Sequence, residues 1–426
     1  MYGIIKMSKF IKIKGKTVGI YEKQYWRDSM IRKFLPVGQG AFYYEHFGEC
    51  ETSTGKVINV VYDCGSSTDV KIVEQQIERN FSRKEKINAL VISHLHEDHI
   101  NGIPYLLRYC NVEKVYFPQI ASENKELMKL YLKINKVDET AYRFLTELLE
   151  LGELGEEWEG IEDLPQFIPV PEYPEESEQA RIDVAGKIKF PDSRIEWEYI
   201  PFNFRNEQRI QIVKEELEKE GISLSDISNM DDEFFEQNKE KWKEIYKKVP
   251  GDFNTNSMTL FSGACDSRVV QYIACTEEDE YFERYWNQNL YCRCYYFKAC
   301  CHKKPDSEYY SGWDDFGCLH KKSGCLFMGD YDASGKNKWK RLQEAYRSYW
   351  KYIGCVQVAH HGSTHNFNEK LLNINAEFVI SAGIKNKYHH PHPSVVKKLV
   401  LHEKWPWIVT EDQESMLKLK IYYLDN

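Results

Sequence analysis

The chain has no apolar run long enough to cross a bilayer. A spanning helix needs roughly 20 nearly uninterrupted apolar residues, and runs such as Ala89 to Ile92 fall far short. The N-terminus, MYGIIKMSKFIKIKGK, is basic but has no apolar core of the kind a secretory signal carries. These absences predict a cytoplasmic protein with no membrane partner. Lys and Arg are missing between Phe144 and Ala180, where twelve acids stand, from Glu147 to Glu178. The formal net charge of −9 argues, taken whole, against non-specific attraction to nucleic acid. Without that one segment, 57 bases face 54 acids, a net of +3. The deficit is therefore local: a solvated surface with a Pro-rich turn, or a face for a protein partner. No internal repeat is visible.

A hydrophobic fraction of 42% supplies a large core and excludes disorder of the whole chain. Twelve cysteines in a chain without a secretory signal suggest reduced thiols or metal ligands rather than disulfides. Nine of the thirteen histidines fall in three groups: His94, His96 and His99; His360, His361 and His365; His389, His390 and His392. Solvated surface histidines have no reason to cluster in this way.

Residues 30–120 alternate apolar runs with turn signals. FLPVGQGAFYYEHFG reads as strand, glycine turn, strand, and KVINVVYDCGSS as a strand ending at Asp63. Val70 to Asn80 has helical spacing, and INALVIS is a buried strand that ends where the first histidine group begins. Residues 121–250 read as a mainly helical, acidic insertion. Residues 251–275 resume core strands, 276–322 form a Cys- and aromatic-rich flap, and 323–426 complete the core. CLFMGDYD, IGCVQVAHHG and AEFVISAG are three strands, each ending in polar residues. The fold class expected is a layered α/β sheet with its site at one rim.

SHLHEDH holds His94, His96, Asp98 and His99. Histidines at i and i+2 project to one side of an extended chain, and the Asp and His that follow can turn towards a second ion. Such ligands suit Zn²⁺, Mn²⁺ or Fe²⁺. Two neighbouring ions need a bridging carboxylate, which Asp330 supplies from the end of an apolar strand. His360 and His361 follow another strand. Adjacent side chains diverge, so one of them is expected to ligate: His360 is favoured, with His361 behind it or on substrate. Asp63 is expected to orient a ligand.

VGQG (37–40), DCGS (63–66), SHLHEDHINGI, NTNSMTL, LFMGD, VAHHGS and SAGIKNKYHHPHPSV occur in this order. This pattern resembles the metallo-β-lactamase fold superfamily and, within it, the hydrolase domain of ComEC-like competence proteins. It covers about half the chain, outside 121–250 and 276–322. The resemblance implies an αββα sandwich with a dinuclear centre. His94 and His96 would hold one ion, Asp98 and His99 the other; Asp330 would bridge and His360 complete the set. Where many members carry a further histidine, this chain has Asn254, Asn256 and Ser257, with Asn256 and Ser257 expected beside the ligands. One site is then under-coordinated, exchangeable or selective for a hard ion. Asn101 stands where glycine is usual, and Ala41 where an acid often follows VGQG. Asn386 and His390 resemble rim groups that hold a phosphate or leaving group.

The function expected is a metal-dependent phosphodiesterase. It would act on nucleic acid or a nucleotide through a metal-activated hydroxide, with Asp98, His361, Asn386 and His390 as catalytic groups. Zinc is the expected ion, with manganese or magnesium in its place. The alternatives are a phosphorylcholine or other small-ester hydrolase, lactonase or thioesterase on the same site, and a non-catalytic metal-binding regulatory or interaction protein. Cys292, Cys294, Cys300, Cys301, His302, Cys318, His320 and Cys325 can form a structural zinc site in 292–325. They lack paired CxxC knuckles, and buried thiols in a flap explain them as well.

Overall fold

The computed structural model describes residues 6–13, 16–22, 30–48, 56–119, 139–151, 163–172, 181–183, 196–204, 207–223, 226–227, 232–248, 257–267, 269–274 and 321–423, with isolated residues besides. In chain order the strands are β1 (Lys6–Ile13), β2 (Lys16–Glu22), β3 (Met30–Phe34), β4 (Gly40–Phe47), β5 (Ile58–Ser66), β6 (Lys86–Ile87), β7 (Ala89–Val91), β8 (Asn111–Val112), β9 (Lys114–Pro118) and β10 (Gln166–Val170). They continue as β11 (Trp197–Phe202), β12 (Thr259–Ala264), β13 (Val269–Ala274), β14 (Lys321–Lys322), β15 (Gly324–Phe327), β16 (Ile353–Gln357), β17 (Glu377–Ser381), β18 (Trp407–Val409) and β19 (Leu417–Tyr423). The main helices are α1 (Val70–Asn80), α2 (Glu97–Ile100), α3 (Ile103–Tyr109), α4 (Glu139–Leu151), α5 (Glu207–Lys219), α6 (Asp232–Lys248), α7 (Lys336–Ala345) and α8 (Pro393–Leu401).

One sheet runs in the order β10-β9-β7-β5-β4-β3-β19-β13-β14 and the other in the order β11-β12-β15-β16-β17-β18. The pairs β1/β2 and β6/β8 stand apart from them. Strand periodicity builds the layers. In β4, Ala41, Tyr43 and Phe47 point between the sheets, where they meet Leu260, Phe327, Cys355 and Val379 of the second sheet. Phe42 and Tyr44 point outwards, under Val73 and Ile77 of α1, Leu106 of α3, and Phe144 and Leu148 of α4. On the far side Phe261, Leu326, Val356 and Phe378 pack against Trp339 and Leu342 of α7 and Val395 and Leu399 of α8. The result is an αββα sandwich, the fold expected. Both sheets are covered on both faces, which is why their strands read as near-continuous apolar runs.

The range 121–250 differs from its expectation. It carries α4, α5 and α6, but also β10, which pairs in parallel with β9, and β11, which pairs with β12. The segment thus extends both sheets and belongs in part to the sandwich. QFIPV and WEYIPF are short and embedded in polar sequence, which hid their pairing. Most of 276–322 lies outside the described residues. Among the described residues no helix is long and apolar enough to cross a membrane.

Candidate metal centre

β5 and β7 are parallel neighbours in one sheet, and β15, β16 and β17 in the other. Their carboxyl ends therefore meet at one rim, where α/β sheets place their sites. β7 leads to Ser93 and His94, β15 to Asp330, β16 to His360 and His361, and β17 to the loop 382–392.

Asp63 is delivered by a bulge. Tyr43 pairs with Tyr62 and Phe42 with Cys64, so Asp63 is the extra residue between them, with φ +55°. Bulges re-aim side chains beside functional sites. The fully buried Asp63 carboxylate accepts hydrogen bonds from the Ser93 amide and hydroxyl, both 2.7 Å, and meets His99 Nδ1 at 2.7 Å. Gly65, two residues on, lies against the backbone of α2: a Cβ there would fall 2.5–2.7 Å from Ile100 N, His99 C and Asp98 C. Asn101 bonds the Ser66 amide and carbonyl, locking the same crossing.

Four imidazoles are fixed alike. His99 Nδ1 faces the Asp63 carboxylate, so it carries the proton. Ser93 gives its hydroxyl proton to Asp63, so at 2.9 Å it accepts from His94 Nδ1. His361 Nδ1 donates to the Ser381 carbonyl at 2.8 Å, and His360 Nδ1 to Asn366 Oδ1 at 3.0 Å. Each ring therefore turns its Nε2 to the centre. His94 Nε2 lies 3.5 Å from Asp330 Oδ2, His99 Nε2 3.3 Å from Asp330 Oδ1, His361 Nε2 3.1 Å from Asp98 Oδ2, and His360 Nε2 3.8 Å from Asp330 Oδ2.

His94, His99 and Asp330 form one group able to hold an ion, and Asp98, His99 and His361 a second; within each, the donor atoms lie within 4.8 Å of one another. His94 Nε2, His99 Nε2 and Asp330 Oδ1 are buried and without a hydrogen-bond partner. Such atoms are costly unless something else satisfies them, and converging imidazole and carboxylate donors suit a divalent cation. The residues fit the metal that the fold implies. Burial opposes ionisation of Asp330, but His360, His99 and His94 outweigh it and hold the carboxyl well below its ordinary range. Burial likewise opposes charge on His99, yet Asp330, Asp63 and Asp98 raise its imidazolium well above its ordinary range. Asp98 is held low in the same way by His99 and His361.

The sequence favours His360 as the ligand, but the donor grouping differs. His361, not His360, joins Asp98 and His99. His360, His361 and Gly362 all have positive φ, at +51°, +54° and +81°. This left-handed turn aims both rings inwards, so the adjacent side chains do not diverge as extended ones would. The ring of His96 sits beside that of His94, 5.0 Å between centroids, but His96 belongs to neither donor group. Ser257 is buried and accepts the Asp330 amide at 2.8 Å. Asn254 and Asn256 lie outside the described residues.

Asn386 reaches the rim but is committed to its own loop. Its amide donates to the Gly383 and His390 carbonyls, and its carbonyl accepts the His390 amide. It holds the His390 backbone in place. Burial, followed by His361 and His360, pushes the His390 imidazolium down to about 4, so this ring is neutral near pH 7. Of the suggested structural zinc ligands, Cys325 is in the core between the sheets, in register with Cys355, and the others lie outside the described residues.

Three positioning residues were not anticipated. Ser93 orients His94. Gln357 Oε1 accepts the amides of Met328 and Gly329 at 2.7 and 2.8 Å, shaping the turn before Asp330. Asn366 ties the Asp330 carbonyl to His360. A hydroxyl directly before the first histidine, and a lone Gln in the apolar run IGCVQVA, were the available signals; Asn366 had none.

Residues 55–176 match the family model of the metallo-beta-lactamase superfamily, and the sandwich above is that superfamily's fold. Among curated proteins, the ribonuclease J chains of Mycoplasma genitalium and Mycoplasma pneumoniae are 36% and 39% identical to this chain over 69 residues. Each match spans 15% of this chain and 12% of the relative's length. Among solved structures, a metallo-beta-lactamase from Cronobacter sakazakii is 13% identical, covering 39% of this chain and 49% of that one, with a TM-score of 0.20. A beta-lactamase domain protein from Burkholderia ambifaria is 15% identical, covering 40% of this chain and 44% of that one, with a TM-score of 0.21.

Proposed function

We propose that this metallo-β-lactamase superfamily hydrolase is a phosphodiesterase that acts on nucleic acid or a nucleotide at the rim between Asp98, Asp330 and the four imidazoles. One observation carries the reading: two donor groups meet on His99, and the Asp330 carboxylate turns one oxygen to His99 and the other to His94 and His360. That is the disposition a bridging carboxylate needs. Because Asp63 engages His99 Nδ1, His99 has a single nitrogen to offer. In this reading it serves with Asp98 and His361 for one ion, and His94, with His96 beside it, serves with Asp330 for the other. A pair of divalent ions held by these residues would supply Lewis acidity and would lower the pKa of a bound water towards 7. Zinc suits the imidazole-rich set, and manganese is the hard-ion alternative.

The chain's own groups do the rest. Asp63, Ser93, Ser381 and Asn366 hold the four tautomers, so the cleft is preorganised before substrate arrives. Gln39 Nε2 lies 3.4 Å from His390 Nδ1, and its carbonyl accepts the Gly383 amide, which orients the side-chain amide to donate. The proton of neutral His390 then lies on Nε2, where it donates to a phosphoryl oxygen or to the leaving group. Nucleic acid is the leading substrate class: the short match to ribonuclease J supports it, as do the imidazoles at the rim.

The test is a metal-repleted assay on bis(p-nitrophenyl) phosphate, single- and double-stranded DNA, RNA and a phosphorylcholine ester, with Asp330→Ala alongside. The expected result is diester turnover that chelation abolishes and Asp330→Ala reduces to background. No turnover of any diester by the metal-loaded protein would overturn the proposal, and turnover of the phosphorylcholine ester alone would replace the substrate class.

A further inference from the structure

Tyr388 is a large aromatic side chain on the rim that neither the core nor the metal centre uses. The residue is 54% exposed, and Ile384 in the same loop is 64% exposed. The loop is nonetheless pinned. Ile384 N donates to Glu411 Oε2 at 2.9 Å, Asn386 makes three bonds within the loop, and His392 N donates to the Gly362 carbonyl. An exposed aromatic on a well-tied loop presents a flat face with little ordering left to lose on binding.

Ring contacts connect Tyr388 to the centre. The Tyr388 ring stacks on His390, with centroids 5.8 Å apart and planes at 24°. His390 stacks in turn on His361, at 6.1 Å and 26°. Two successive ring contacts therefore link His361, at the centre, through His390 to the exposed Tyr388. Within the loop the charged side chains are of one sign, while Glu411 caps its start at Ile384 N. Lys385 and Lys387 flank Tyr388, residues 383–392 contain no acid, and Lys387 Nζ stands over the ring, 5.0 Å from its centroid, so a base that stacks there displaces this flexible side chain. An aromatic platform interleaved with lysines, beside a site for phosphodiesters, is the combination that binds unpaired bases along their backbone. A duplex keeps its bases stacked inside and offers Tyr388 no base face.

We propose that Tyr388, with Lys385 and Lys387, forms a subsite that stacks an unpaired nucleobase next to the scissile phosphate, making the preferred substrate a single-stranded polynucleotide. This deepens the phosphodiesterase reading and rests on it for the position of the phosphate, although base binding is measured separately.

The experiment measures fluorescence anisotropy of the full-length protein with labelled thiophosphate-backbone oligothymidine, its oligouridine counterpart, a duplex, and an abasic oligomer of equal length. Turnover of the corresponding phosphodiesters is followed in parallel. Tyr388→Ala is expected to weaken binding of the single strands about 5- to 150-fold, the range for loss of one stacked base. Tyr388→Phe is expected to bind like the parent, and the abasic oligomer is expected to bind both variants alike. The better of the two single strands identifies the sugar. Undiminished single-strand binding by Tyr388→Ala would overturn the proposal. So would an equal loss on the abasic oligomer, which would mark a merely structural role, or duplex binding as tight as that of the single strand. If Tyr388-dependent binding appears without turnover of any diester, the subsite stands and the phosphodiesterase reading fails.

Discussion

His99 depends on a neighbour that never touches the centre. Asp63 takes one ring nitrogen and thereby fixes the lone pair on the other. In Asp63→Asn, an amide group would face either the Ser93 hydroxyl and His99 Nδ1–H, or the Ser93 amide. Donor would meet donor, and the favoured tautomer of His99 would change. Metal affinity is expected to fall about 10- to 100-fold, measured by competition with a chromophoric chelator; unchanged affinity would remove Asp63 from the orienting role. The neighbours His360 and His361 separate in a similar way. His361→Ala should lower bound metal per chain, because His361 stands with Asp98 and His99, whereas His360→Ala should leave metal content intact and lower turnover. Elemental analysis of the two purified variants decides between them, and equal loss of metal in both would contradict the assignment. Protons compete at the same atoms. The carboxylates raise His99, so ion binding must displace its proton, and affinity should fall as pH is lowered. Titration calorimetry in buffers of different ionisation enthalpy counts the protons released.

Strands carry these residues to the rim, but turns aim them. The runs INVVYDCGS and CLFMGD announce their strands because both sheet faces are covered, and α1 spans Val70–Asn80 as its spacing predicts. The bulge at Asp63 and the left-handed turn through His360, His361 and Gly362 have no such signature. Backbone dihedrals at single residues leave no periodic trace, so extended geometry favours His360 in the sequence while the donor group with Asp98 and His99 contains His361. Glycine at close approach is the legible part of this layer. In Gly65→Ala the new methyl would press on the α2 backbone, and overpacking of this kind costs about 1–3 kcal/mol. Because α2 begins directly after His96 and contains Asp98 and His99, metal affinity should fall with stability. Gly335→Ala, whose Cβ would meet only Lys338 at 3.6–3.7 Å, serves as the comparison: as the N-cap of α7 it should lose about 1 kcal/mol with no change in metal affinity. Urea unfolding of the pair checks both; a neutral Gly65→Ala would show that α2 can move away.

At the scale of the molecule, the acidic stretch and the two sheets each hold a feature that composition conceals. Glu147, within the acidic run, bonds Arg143, the Gly155 amide and Trp158 Nε1, while Phe144 and Leu148 of the same helix pack into the outer layer. That part of the acidic segment is anchored in the sandwich. Between the sheets lies a charge pair that an apolar reading of the core would not anticipate. Arg32 of β3 is fully buried and reaches Glu45 at 2.6 Å, Gln271 at 2.8 Å, and the Ser323 and Ser262 carbonyls. Glu45 also accepts the hydroxyls of Tyr199 and Ser262, both at 2.7 Å. Arg32 and Glu45 belong to the larger sheet, Tyr199 and Ser262 to the smaller, so the network joins the two halves of the sandwich. Burial alone opposes charge on Arg32, and the adjacent Glu45 carboxylate outweighs it. Glu45→Leu would leave the guanidinium buried without its counter-ion, at a cost of about 3–5 kcal/mol. Replacing both, as Arg32→Met with Glu45→Leu, removes the uncompensated charge and should restore part of that loss, although the Tyr199 hydroxyl and Gln271 lose partners. Urea midpoints of the parent, both single variants and the double variant close the cycle. If Glu45→Leu costs no more than the double replacement, the pair does not hold the sheets together by mutual compensation.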